Sequence, residues 1–122
     1  MAWTFKDRIP IYQQIVHTME LQIANGTYSS GEKIPTVRDL AMEAGVNPNT
    51  MQRAMAELER NGLVQSERTL GRFVTKDATV LKNLREALAM ENIRKMSENL
   101  RQLGMTAEEI ILAVTKFMEE TK

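Results

Sequence analysis

Four polar side chains crowd the start of one helical segment: Asn49, Thr50, Gln52 and Arg53. Asn and Gln can pair with adenine, Arg with guanine, and Thr with a phosphate or a thymine methyl. The chemistry open to this set is hydrogen bonding to base edges. A second polar cluster follows at Arg68, Thr69, Gly71 and Arg72, where the glycine permits close backbone approach. Further upstream, Arg38 stands near the start of another helical segment, with Thr36 just before it.

The elements that must position these groups are two short helices within Pro35 to Asn61. The first has apolar residues at Val37, Leu40, Ala41 and Ala44, the second at Met51, Ala54, Met55 and Leu58. Both sets follow the i, i+3, i+4, i+7 spacing of one buried helix face. Asn49, Gln52, Arg53 and Ala56 therefore point away from the core. Gly45 can adopt the left-handed conformation that ends a helix, Asn47 can cap the next, and Pro48 suits its first turn. Thr36 is a candidate cap for the first helix, with Asp39 in the capping-box position. Because the opposite face is apolar, Arg38 faces out, within reach of a phosphate. Two such helices about a short turn form a helix-turn-helix, whose second helix typically lies in the DNA major groove.

The flanking segments complete this unit. Ile11, Ile15, Met19 and Ile23 share one face of a first helix that stops at Asn25-Gly26. A turn-rich loop follows, and Ile34 is expected to pack back into the core. After Asn61-Gly62 come two short β-prone runs, Leu63–Ser66 and Arg72–Thr75, which read as a hairpin. Three helices and a hairpin make a winged helix. The hairpin tip, with Arg68, Gly71 and Arg72, is expected near the phosphate backbone or minor groove. Five basic residues against three acidic ones lie between Val46 and Lys76, a modest local excess that calls for a dimer to double it.

Beyond Lys76-Asp77 the pattern changes. Leu81, Leu84, Leu88, Met96, Leu100 and Leu103 form a stripe on a helix from about Thr79 to Gln102. Thr106-Ala107-Glu108-Glu109 opens a last helix that carries Ile110, Ile111, Val114, Phe117 and Met118. Two helices cannot enclose a core alone. They are expected to form a symmetric dimer interface through Leu81, Leu84, Leu88, Met96, Leu100, Ile110, Val114 and Phe117. Packing back on the winged helix is the alternative. The chain therefore reads as mainly α with a small β-hairpin. A winged helix-turn-helix DNA-binding domain spans residues 1–77, and a two-helix dimerisation tail spans 78–122.

Composition narrows the function classes. Lys+Arg and Asp+Glu each number 16, so the chain is no basic DNA-coating protein. There are no cysteines for disulfides or thiolate metal sites. No signal peptide or membrane span is legible, so a cytoplasmic protein without membrane contact is expected. The single histidine, His17, reads as a surface or interface residue, not a metal ligand. Met19, Met51, Met55, Met96 and Met118 read as core filler, while Met42 and Met90 look more exposed. Trp3 and Phe5 are expected to anchor an N-terminal arm on the core or on a partner chain. No phosphate loop, nucleophile elbow or His-Glu-x-x-His is present, so neither an enzyme nor a cofactor is expected.

Taken together, Pro10-Ile11-Tyr12-Gln13-Gln14-Ile15, GTYSSGEKIP from Gly26, Thr36-Val37-Arg38-Asp39-Leu40-Ala41, Gly45-Val46-Asn47-Pro48-Asn49-Thr50, Leu58-Glu59 and Gly71-Arg72-Phe73-Val74 resemble the GntR family of bacterial transcription regulators. The resemblance covers about residues 9–76. The Val-Asn-Pro-Asn-Thr form, Trp3 and the short tail look like the YtrA subfamily. The resemblance implies a homodimeric repressor on an inverted repeat of double-stranded DNA. It carries DNA contacts to Arg38, Asn47, Thr50 and Gly71. Many relatives have Arg where this chain has Pro48 and Gln52, and Arg53 either substitutes or faces a phosphate. A small-molecule effector, if one exists, would have to bind between subunits or between the tail and the winged helix. The competing reading is a winged-helix protein-interaction module, since fold alone does not fix function. RNA binding is a third, but no aromatic stacking platform is visible.

Overall fold

The computed structural model describes residues 3–122. Its elements are α1 (Ile11–Ala24), α2 (Val37–Ala44), α3 (Pro48–Arg60), β1 (Val64–Glu67), β2 (Gly71–Val74), α4 (Ala78–Arg101) and α5 (Ala107–Glu120). The chain divides into two compact units, the first ending at Arg85 and the second running over Glu86–Lys122.

The first unit is built around the apolar faces that helical spacing defines. Ile15, Met19 and Ile23 of α1, Leu40, Ala41 and Ala44 of α2, and Met51, Ala54, Met55 and Leu58 of α3 form one buried cluster with Ile34, Leu63, Val64 and Val74. Ile11 departs from expectation. It belongs to the same row of α1 but is 44% exposed, because it opens the helix one turn before the first buried position, Ile15. Pro10 stands at the N-cap of α1 in an extended conformation, one residue before the first helical position.

The turn between α2 and α3 follows local rules. Gly45 takes φ 75° and ends α2, and Asn47 Oδ1 accepts from the Asn49 N–H at 2.7 Å to start α3. Thr36 Oγ1 accepts from the Asp39 N–H at 3.1 Å. Among the described residues the reciprocal bond of a full capping box is made only at α5, by Thr106 and Glu109. Asp39 is one methylene shorter than the Glu or Gln that closes such a box.

The hairpin pairs Val64 with Val74, Gln65 with Phe73, Ser66 with Arg72 and Glu67 with Gly71. Its outer edge is not bare. The segment before α2 runs along β2, with the Gly31 N–H bonded to Val74 O at 3.0 Å, the Val74 N–H to Glu32 O at 2.9 Å and the Ile34 N–H to Arg72 O at 3.0 Å. The turn-rich loop thus covers an edge that would otherwise offer unpaired backbone groups.

The N-terminal arm is pinned to the same unit. The Trp3 N–H bonds to Ala44 O, and Trp3 and Phe5 pack against the core. The Gln14 amide donates to Lys6 O at 2.8 Å and Ile9 O at 2.9 Å. At the other end, Val80, Leu81 and Leu84 also pack on this core, and Arg85 Nη2 donates to Ala24 O at 3.2 Å. Two turns of α4 therefore belong to the first unit, and the division falls inside that helix. Leu81 and Leu84, expected at a surface between chains, rest on the chain's own core.

In the second unit only Ile110 is buried. Leu88, Leu100, Met105 and Val114 are half-buried. Met96 and Met118, expected as core filler, are exposed, because within this chain no element covers them. Met90, Ile93, Leu103, Ile111, Leu112 and Phe117 are exposed as well. The stripe along α4 is also not straight. At about 100° per residue, Ile93, Met96 and Leu100 lie roughly a third of a turn around from Leu81, Leu84 and Leu88. No helix of the described residues is long and apolar enough to cross a membrane.

Candidate nucleic-acid interface

The buried row of α3 leaves Asn49, Gln52 and Arg53 exposed in its first turns, with Thr50 half-buried beside them. The helix N-terminus adds partial positive charge at this end. Two depressions flank the exposed strip. Asn49, Thr50 and Arg53 share one with Pro10, Ile11 and Tyr12 at the start of α1. Gln52 shares the other with Ala56, Glu59, Arg60 and Arg72, toward the hairpin. Gln52 thus faces the wing and Arg53 faces α1, so neighbouring residues on one helix serve different sides of the surface.

The cations on this surface are not equivalent. Arg60 is paired with Glu57 along α3. Arg72 is half-buried and donates through Nε to Glu59 Oε1 at 3.2 Å. The same oxygen accepts from Ser66 Oγ at 2.5 Å. These bonds, the one from Ser66 first, hold the Glu59 carboxyl below the usual carboxylate range. Among the described residues Arg38, Arg53, Arg68 and Lys76 make no ion pair, and all four are exposed. They carry the electrostatic footprint that the sequence assigned to all the basic residues of this stretch.

The remaining expected contacts sit where their turns put them. Arg68 lies at the hairpin tip next to Thr69, which takes φ 61°, and Gly71 takes φ 112°. Asn47 uses one lone pair of its side-chain oxygen on the helix cap and keeps both NH₂ donors. Thr36 likewise accepts the cap bond of α2 and keeps its hydroxyl proton to donate. Arg38 stands next to it, in the first turn of α2.

Two residues that the sequence reading passed over belong to this surface. A Cβ at Gly71 would stand 3.0 Å from Lys33 Cε, so the Lys33 side chain lies along the wing. Tyr12 lies beneath Arg53, with the guanidinium carbon 3.8 Å from its ring centroid. Neither had a spacing signal. Lys33 sits in a loop whose course along β2 is a tertiary feature, and Tyr12 is one helix away from its partner.

Three helices around one core, a turn closed by Gly45 and Asn47, an exposed polar strip on α3 and a hairpin beside it define a winged helix-turn-helix DNA-binding domain. Residues 11–74 match the model of the bacterial regulatory proteins of the gntR family. The chain belongs to that family and is a transcriptional regulator with a DNA-binding domain. It is 33% identical over 115 residues to the uncharacterized HTH-type transcriptional regulator YhcF of Bacillus subtilis, covering 94% of this chain and 95% of that one. It is 31% identical over 102 residues to the HTH-type transcriptional repressor YtrA of the same organism, covering 83% and 78%. Its fold is similar to a GntR family transcriptional regulator from Listeria monocytogenes, with TM-score 0.84, 38% identity and coverage of 92% and 98%. It is also similar to the DNA-binding domain of AraR in complex with operator ORX1, with TM-score 0.56, 26% identity and coverage of 62% and 95%.

Proposed function

We propose that this chain is a sequence-specific repressor that binds an inverted-repeat operator as a homodimer and acts in the cytoplasm. The observation that carries the reading is the exposed Asn49, Gln52 and Arg53 on a helix whose opposite face is wholly buried. Asn49, Gln52 and Arg53 read base edges from α3 in the major groove. Thr36, Arg38, Asn47, Thr50, Arg68, Gly71 and Arg72 position the protein on the phosphate backbone, which sets register and orientation without itself reading sequence. The similarity to the repressor YtrA supports the sign of regulation. Dimerisation is supported by α4, which has 24 residues and not one buried, and by the exposed Ile93, Ile111 and Phe117 of the second unit. Leu88, Met96, Leu100, Val114 and Phe117 belong to that interface. Two-fold symmetry of the protein then requires two-fold symmetry of the DNA site.

The test is fluorescence anisotropy of the purified protein on its own upstream promoter DNA and on scrambled DNA, across a salt series. Tight selective binding that weakens steeply with salt is the expected outcome. Equal, weak binding to both DNAs would move the protein-interaction reading ahead.

A further inference from the structure

Arg53 has a partner that no base-reading argument requires. Its guanidinium carbon stands 3.8 Å from the centroid of the Tyr12 ring, and the two side chains line the same depression at the start of α3. We propose that Tyr12 is a positioning residue that sets specificity: its ring holds the Arg53 guanidinium so that the N–H edge is presented to a guanine. The proposal rests on α3 reading DNA.

The argument is one of geometry. A guanidinium stacked on an aromatic ring uses its face for the contact and keeps its in-plane donors free. A two-point bond to guanine needs that free edge. Tyr12 is itself held in place. It is half-buried against the core, it follows Pro10-Ile11 at the helix start, and its hydroxyl accepts from Gln13 Nε2 at 3.3 Å. A flexible arginine loses rotamer freedom on binding DNA, and a side chain ordered beforehand loses less. The neighbouring arginines behave differently. Arg60 and Arg72 turn donors toward Glu57 and Glu59, whereas Arg53 has no carboxylate partner among the described residues. Arg53 therefore differs from Arg60 and Arg72 in resting on a ring and not on a carboxylate.

The experiment compares Tyr12→Phe, Tyr12→Leu, Arg53→Ala and the double variant Tyr12→Leu/Arg53→Ala. The probe is DNA selected from a random pool by the wild-type protein, with scrambled DNA as the reference. Tyr12→Phe keeps the ring face and is expected to bind like wild type. Tyr12→Leu is expected to weaken binding to the selected DNA by about two- to fivefold, the range of an exposed cation–π contact, with scrambled DNA unchanged. The loss should fall on one guanine and should vanish in the Arg53→Ala background. A loss that persists there undiminished, or no loss in Tyr12→Leu, overturns the proposal. Should Tyr12→Leu fail to fold, NMR of wild type and Tyr12→Phe decides: Arg53 side-chain protons shifted upfield and ordered support it, and freely averaging ones overturn it. A wild-type protein that selects no sequence from the pool defeats the DNA-reading function and this proposal together. A selective wild type without Tyr12–Arg53 coupling defeats this proposal alone.

Discussion

Arg72 on β2 donates to Glu59 on α3 across 3.2 Å, and Ser66, its cross-strand partner on β1, donates to the same carboxylate oxygen. One carboxylate therefore ties both strands of the wing to the helix that carries Asn49, Gln52 and Arg53. These bonds add to the apolar contacts beneath the wing, where Val64 and Val74 are buried in the same cluster as Leu58. Arg72 is consequently less available to a phosphate than Arg68, which lies exposed at the tip without an ion pair among the described residues.

Glu59→Gln is expected to loosen the wing in a pH-dependent way. The native carboxyl titrates below its ordinary range, so its contribution is present above the unfolded value and lost as pH falls through the native one. The side chain is 41% exposed, so solvent screening keeps the effect below about 1 kcal/mol. Urea unfolding near neutral pH should show the deficit, and the deficit should shrink as pH falls through the native value. The same substitution removes a negative charge and releases Arg72, so affinity for scrambled DNA at low salt should rise.

Arg53→Ala and Arg68→Ala should separate reading from anchoring. The first is expected to cost about 1–3 kcal/mol on selected DNA and to relax preference at one base pair. The second should weaken selected and scrambled DNA alike and lower the salt slope by about one. Competition anisotropy on both DNAs checks this, and equal losses of discrimination would refute the division.

Leu58→Ala should destabilise the first unit by about 2–5 kcal/mol, since Leu58 is 0% exposed within the buried cluster. Denaturant unfolding followed by circular dichroism measures it.

Gly45→Ala should cost about 1–2 kcal/mol without changing any contact to DNA, because its φ of 75° disfavours a side chain. A lower thermal midpoint with unchanged base preference is the expected pair of results.

Ile93→Glu and Phe117→Glu test the tail. Both residues are exposed in the single chain, at 50% and 60%, so a charge there should leave the first unit intact. Light scattering is expected to give a one-chain mass, with operator affinity falling accordingly. A mass still equal to two chains would rule out these faces. Leu84→Glu is a poorer probe, since Leu84 packs on the chain's own core and its loss would unfold what it is meant to dissociate.

What was legible in the sequence was most of what depends on near neighbours along the chain, the exposed Ile11 and the half-made cap at Thr36 being the exceptions. The helix rows of α1, α2 and α3, the Gly45–Asn47 turn, the cap at Thr106 and the hairpin around Arg68–Leu70 all follow from helical period, capping and turn chemistry, which act over a few residues. The polar strip Asn49, Gln52 and Arg53 was legible for the same reason, as the reverse of a buried row. Tertiary structure alone decided the partners. Tyr12 under Arg53, Glu59 between Ser66 and Arg72, Lys33 along Gly71 and the first turns of α4 on the core each join separate elements of the fold. Such pairs depend on how whole helices and strands pack, and packing depends on the summed shape of many side chains, which local spacing does not encode. The composition of the stretch around α3 and the wing counts its arginines as equal charges. The fold holds two of them on carboxylates, stacks one on a ring and leaves another at the tip of the wing.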